Sequence, residues 1–146
     1  MTPTLGADLL AVVARLNRLA TQRARLPLPF AQGRLLSTIE DQGATRISDL
    51  AALDHCSQPT MTTQVRRLED AGLVSRTVDP EDARAVLIRI TSKGVETLRQ
   101  VRLDRGAAID PYVERLDAAD RQTLADAVRV MRGLLDDAAA PKTTAK

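Results

Sequence analysis

The chain has 146 residues, 44% of them hydrophobic, which is enough for one globular domain with its own core and appended arms. One Phe, one Tyr and no Trp make that core aliphatic, and 21 basic against 19 acidic residues leave a net charge of +2, compatible with a nucleic-acid partner without demanding one. A single Cys excludes an intramolecular disulfide, and one Cys with one His leaves the usual covalent and acid–base constellations short of parts, so neither an enzyme nor a cofactor is expected.

Residues 5–24 have the helical period, with Leu5, Leu9, Val12, Val13, Leu16 and Leu19 at three- and four-residue steps. "LPLPF" (26–30) ends that helix, because proline removes a donor and clashes inside a helix. A second helix is expected from about Pro29 to Asp41, stopping at Gly43, and a third over Ser48–Leu53. A fourth runs from about Gln58 to Ala71, with Gly72 at the position where a left-handed cap costs least. "LVSRTV" (73–78) and "AVLIRI" (85–90) are β-branched runs, and "DPEDAR" (79–84) between them holds the turn, so a hairpin follows. From Ser92 the helical period returns through Val95, Leu98 and Val101, then Ile109, Val113 and Leu116. A last helix carries Leu124, Val128, Met131 and Leu135, and the tail is expected to be disordered.

The order is thus α, then α-α-α-β-β, then α-α. It predicts a mainly α protein with a small antiparallel β wing: a winged helix-turn-helix lobe over 27–94, flanked by dimerisation helices at 1–26 and 95–137, with a tail at 138–146. The lobe is too small to cover both flanking stripes. Leu5, Leu9, Val12, Leu16, Ile109, Val113, Leu116, Leu124, Val128, Met131 and Leu135 are therefore expected to bury against a second copy of the chain.

The stretch "SQPTMTTQVRRLEDAGLVSR" (57–76) carries the functional signal. At 100° per residue Met61, Val65 and Leu68 share one arc, while Pro59, Thr63, Arg66 and Arg67 lie opposite, flanked by Thr60 and Thr62. Ser57 suits the cap, with Pro59 in the first turn. Short hydroxyl and amide side chains at the start of a helix, Ser57 and Gln58 included, match the way a recognition helix meets base edges in the major groove. An ordinary solvated face has the same composition. The hairpin weighs for DNA: Arg84 near its tip, with Arg76 on the preceding strand, could enter the electronegative minor groove, and Asp82 could hold the Arg84 guanidinium. A winged helix used for protein–protein contact is the rival reading, disfavoured by the wing arginine and the polar helix face.

The run "DLAALDHCSQPTMTTQVRRLEDAGLVSRTVDPEDARAVLIRITSKG" (49–94) resembles the core of the multiple antibiotic resistance regulator (MarR) family, through "LA", "RRLEDAGLV", "DPEDAR" and "ITSKG". The resemblance implies a homodimeric winged-helix transcription factor, commonly a repressor, that binds a palindromic double-stranded operator and responds to a small molecule. It implies that Ser57 to Arg67 read the major groove and Arg84 the minor groove, with Asp82 steadying it. Ala83 departs from the pattern, standing where many members carry a second basic residue.

For a small anionic or phenolic effector, the sequence offers Phe30 and Tyr112 as aromatics and Arg15 and Arg18 as cations. Cys56, just before the fourth helix, is either a redox sensor or a filler of the apolar slot there, and His55 is a turn residue. One His and one Cys do not complete a zinc site, so no metal is expected. No apolar run approaches the roughly 20 residues of a membrane span. The opening "MTPTLGADLL" lacks the pattern of a secretory signal, which leads to the expectation of a cytoplasmic protein with no membrane partner.

Overall fold

The computed structural model describes residues 1–141. The chain forms two compact units, Met1–Ala108 and the segment from Ile109 onward. The first contains α1 (Leu5–Arg23), α2 (Phe30–Gln42), β1 (Thr45–Arg46), α3 (Ile47–Leu53), α4 (Gln58–Asp70), β2 (Val74–Asp79), β3 (Asp82–Ile90) and α5 (Ser92–Ala107). The second contains α6 (Asp110–Val113) and α7 (Ala118–Ala139).

The three strands form one antiparallel sheet in the order β1-β3-β2, with Arg46 opposite Leu87 and Val74 opposite Ile90. Helices α2, α3 and α4 pack with it around an aliphatic core of Leu35, Leu36, Ile39, Leu50, Met61, Val65, Leu68, Leu73, Val74, Ile88 and Leu98. This is a winged helix-turn-helix, the fold class expected. Met61, Val65 and Leu68 are fully buried, so the arc read from the sequence is the one that anchors α4. Each such side chain contributes roughly 1.5–3 kcal/mol by leaving water.

The segment joining α4 to β2 and α5 is tied at several points. Gly72 adopts φ +75°, the left-handed cap that releases the chain from α4. Thr91 caps α5 by accepting from Gly94 N–H at 3.1 Å and donates its hydroxyl to the Gly72 carbonyl at 2.7 Å. Lys93 Nζ donates to the Ala71 carbonyl at 2.8 Å, placing a cation at the negative end of α4. Gly94 lets α5 come close: a Cβ there would lie 2.2 Å from the Leu73 carbonyl oxygen. The "ITSKG" run therefore holds the end of α4 against the start of α5.

Four features differ from the sequence reading. Strand β1 was not expected, since two residues carry no period. The hairpin is tighter than 79–84, because β3 begins at Asp82. The helix expected from Ser92 through Leu116 stops at Ala107, with α6 following as a separate turn. Pro111 explains this, being tolerated in the first turn of α6 but not inside a continuous helix. The expected tail also begins too early: Ala138 and Ala139 belong to α7, as good helix formers should, and the helix ends before Pro141. Residues 142–146 of that tail lie outside the described residues.

Neither flanking stripe is buried. On α1, Leu5, Val12 and Leu16 are exposed and Leu9 half-buried, and α7 has no buried residue along its 22. Ile109, Val113, Leu116 and Met131 are half-buried, and Leu124, Val128 and Leu135 exposed. Among the described residues, no helix is long and apolar enough to cross a membrane.

Candidate nucleic-acid interface

The start of α4 is built by Ser57. Its Oγ accepts Thr60 N–H at 3.3 Å and donates to Thr60 Oγ1 at 2.9 Å, so this hydroxyl is committed to capping. Thr60 keeps its own hydroxyl hydrogen for an outside acceptor. Thr63 Oγ1 donates to the Pro59 carbonyl at 3.1 Å, which leaves its lone pairs and methyl facing outward. Gln58, Pro59, Thr60, Thr63, Arg66 and Arg67 are exposed, whereas Thr62 and Gln64 are half-buried at the edge of the face. Neither the Arg66 nor the Arg67 guanidinium has a hydrogen-bond or ion-pair partner among the described residues. A pair of uncompensated guanidiniums beside the Thr60 hydroxyl and a helix N-terminus forms a surface suited to a polyanion.

The wing adds a second cation. Between Val78 and Asp79 the ladder slips: Val78 faces Val86, but Asp79 faces Asp82, so Ala83, Arg84 and Ala85 have no partner on β2. This bulge turns Arg84 out of the ribbon, and its side chain is 95% exposed. Asp82 Oδ1 accepts Arg84 N–H at 3.0 Å and lies 3.5 Å from its Nε, which restrains a long side chain without burying it. Arg76 is held differently. It lies in mid-ribbon opposite Ile88, and its guanidinium pairs with Glu69 of α4, joining helix to wing.

Two contributors to this surface were not singled out in the sequence. Arg46 of β1 donates from Nη2 and Nε to Asp79 Oδ2 at 2.6 and 3.2 Å, while Asp79 Oδ1 accepts Glu81 N–H at 2.9 Å. These bonds, the Glu81 amide first and Arg46 next, hold the Asp79 carboxyl below the usual carboxylate range. The "DP" dipeptide announces a turn that an Asp could brace. Nothing nearby announces a partner 33 residues earlier.

The first unit also has a cavity of about 350 Å³ among α1, α2 and α5, with Leu28, Phe30, Leu98 and Val101 on its apolar walls and Arg34, Arg102 and Arg105 around it. Arg102 pairs with Glu40 and Arg34 with Asp54, whereas Arg105 donates to Asn17 Oδ1 and stacks 5.3 Å from the centre of the Phe30 ring. Of the four expected effector residues, Phe30 lines this cavity, and Arg18 lines a neighbouring hollow with Phe30. Arg15 lines neither, and Tyr112 lies in the second unit under the Arg115 guanidinium. Cys56 is half-buried against the core, as a slot-filler would be, and His55 is an exposed turn residue with φ 51°. Among the described residues no three of His, Cys, Asp and Glu gather in a metal-holding group.

A three-helix core with a polar, arginine-bearing α4 beside a β ribbon defines the winged-helix class. The comparisons with known proteins narrow it. A model of the MarR family matches residues 28–86. The HTH-type transcriptional regulator MT0903.1 of Mycobacterium tuberculosis is 30% identical over 134 residues, covering 91% of this chain and 94% of that one. The transcriptional regulator Tm0710 of Thermotoga maritima superposes with a TM-score of 0.71 at 25% identity, over 89% of this chain and 95% of its own. A mutant MarR of Escherichia coli complexed with operator DNA superposes at 0.59 and 23% identity, over 87% and 92% of the two chains. The chain belongs to the MarR family and is an HTH-type transcriptional regulator, not an enzyme.

Proposed function

We infer that this regulator binds double-stranded DNA as a homodimer, with Gln58 to Arg67 of α4 in the major groove and Arg84 of the wing in the minor groove. The observation that carries this reading is the conjunction of unpaired Arg66 and Arg67 with an Arg84 that is 95% exposed yet restrained by Asp82. The uncompensated charges of Arg66 and Arg67, with an Arg84 guanidinium held out in solvent, favour a phosphate-rich partner over a protein surface. That the related E. coli MarR mutant was seen with operator DNA supports the same reading. Ser57 serves as the cap that aims the α4 start, and Arg76 fixes the wing to α4 through Glu69.

The functional division is a lobe at 27–94 with dimerisation helices at 1–26 and 95–137. The exposed leucines and valines of α1 and α7 favour a second copy as their cover. A two-fold dimer sets its two α4 helices about 34–36 Å apart and selects a palindrome of about 16–20 base pairs. The chain acts in the cytoplasm, as a repressor, released when a small anionic or phenolic molecule enters the cavity beside Phe30. Arg105 would meet the anion, since no carboxylate neutralises it as Glu40 does Arg102.

Selection of the purified protein on a pool of random duplexes, at two salt concentrations, tests the reading. The expected result is an enriched inverted repeat whose affinity falls steeply with salt. A protein that enriches nothing would return the rival, a winged helix for protein contact.

A further inference from the structure

The turn of the wing is held by a residue outside the wing. Asp79 is the last residue of β2, its side chain is 9% exposed, and it faces Asp82 directly across the ladder. Two carboxylates opposed on a ladder repel, and a buried one needs a partner. Arg46 supplies that partner by reaching past β3, and it is itself well anchored: Thr45 beside it is buried, and β1 pairs with Leu87 and Ile88. Asp79 then receives the Glu81 amide, and Asp82 the Arg84 amide. An unbroken series of contacts and short chain segments leads from Arg46 to the bulge that presents Arg84.

We propose that Arg46 is a positioning residue for DNA recognition: its two-pronged hold on Asp79 closes the wing turn and thereby sets the direction of Arg84. The inference rests on the reading of Arg84 as a DNA contact. Without Arg46, Asp79 keeps a charge facing Asp82 with only the Glu81 amide to offset it. The turn then opens to water, and the bulge loses its fixed end. Arg46 is 41% exposed, so a direct contact to phosphate is the competing role, and the two make opposite forecasts.

The test is a mobility-shift titration on a duplex enriched by the wild-type protein. The variants are Arg46→Gln, Asp79→Asn and Arg84→Ala, together with Arg84→Ala combined with each of the other two. Thermal melting followed by circular dichroism establishes which variants are folded. Arg46→Gln is expected to weaken binding about tenfold, the scale of one well-placed charged contact. Asp79→Asn is expected to weaken it similarly, although it removes a negative charge and should strengthen binding on charge alone. In the Arg84→Ala background neither is expected to add a further loss. A loss from Arg46→Gln that persists there, or wild-type binding by Arg46→Gln or Asp79→Asn, overturns the proposal. Should Arg46→Gln fail to fold, the Asp79→Asn cycle decides alone. A wild-type protein that enriches no duplex defeats the DNA reading and the inference with it, whereas normal wild-type binding with unaffected variants defeats the inference only.

Discussion

Asp82 and Arg84, two residues apart on β3, hold one another by backbone and side chain. The carboxylate accepts the Arg84 amide at 3.0 Å and lies 3.5 Å from Nε, while the guanidinium stays in solvent. A cation so restrained loses less side-chain freedom on meeting a groove than a free one. Arg84→Ala is therefore expected to weaken binding about tenfold, to the enriched and unrelated duplexes alike, because a minor-groove arginine reads shape more than bases. Parallel mobility-shift titrations on both duplexes check it, and unchanged affinity on both would refute the wing assignment.

Thr63 presents its methyl and lone pairs from the outward face of α4, with its hydrogen given to the Pro59 carbonyl. Thr63→Ala is expected to relax preference at particular base pairs by about 1 kcal/mol or more, leaving affinity for unrelated DNA unchanged. Selection and sequencing with the variant measures this directly. An identical base preference removes Thr63 from the readers.

Gly94 faces the Leu73 carbonyl where α5 starts, with room for no Cβ: the added atom would sit 2.2 Å from that oxygen and 2.7 Å from Ile90 Cγ1. The backbone cannot retreat without stretching the 3.0 Å bond from Thr91 N–H to the same carbonyl. Gly94→Ala should cost about 3 kcal/mol, at the upper end for overpacking. Urea unfolding at neutral pH supplies the measurement, and a loss below about 1 kcal/mol would mean that this approach is not tight.

Asp79 has its carboxyl held below the ordinary range, first by the Glu81 amide and then by Arg46. A depressed folded-state value means that its stabilising contribution is complete above the unfolded value, about 3.9. It is lost as pH falls below that value and through the folded one. Asp79→Asn should thus lower the melting temperature at pH 7 and narrow the gap to wild type as pH drops through the acid range. A gap that stayed constant down to pH 2 would show that the charge of Asp79 contributes nothing.

Leu135, 71% exposed, and Val128, 49% exposed, stand on α7 at positions that share one helical face. Val128→Glu with Leu135→Glu is expected to convert a species of twice 15.8 kDa into one of 15.8 kDa in sedimentation equilibrium. A wild-type protein already at the lower mass would leave these faces without the expected cover.

The helices of the lobe, the hairpin and the arc of Met61, Val65 and Leu68 were legible because each depends on residues within about one turn or one strand. Period, caps and turn formers all act at that range. So too were Ser57 as cap and Arg84 with Asp82, since their contacts span two or three residues. What the tertiary structure alone decided lies at long range. The pairing of Thr45 and Arg46 with β3 joins residues some forty positions apart in sequence. The bond from Arg46 to Asp79, the commitment of Arg76 to Glu69, and the gathering of Arg34, Arg102 and Arg105 around Phe30 are likewise matters of how elements pack. An arginine in a sequence is simply a cation on a long stem. Whether it is spent inside the protein or left for DNA depends on which carboxylate the fold brings within reach, and no local pattern encodes that.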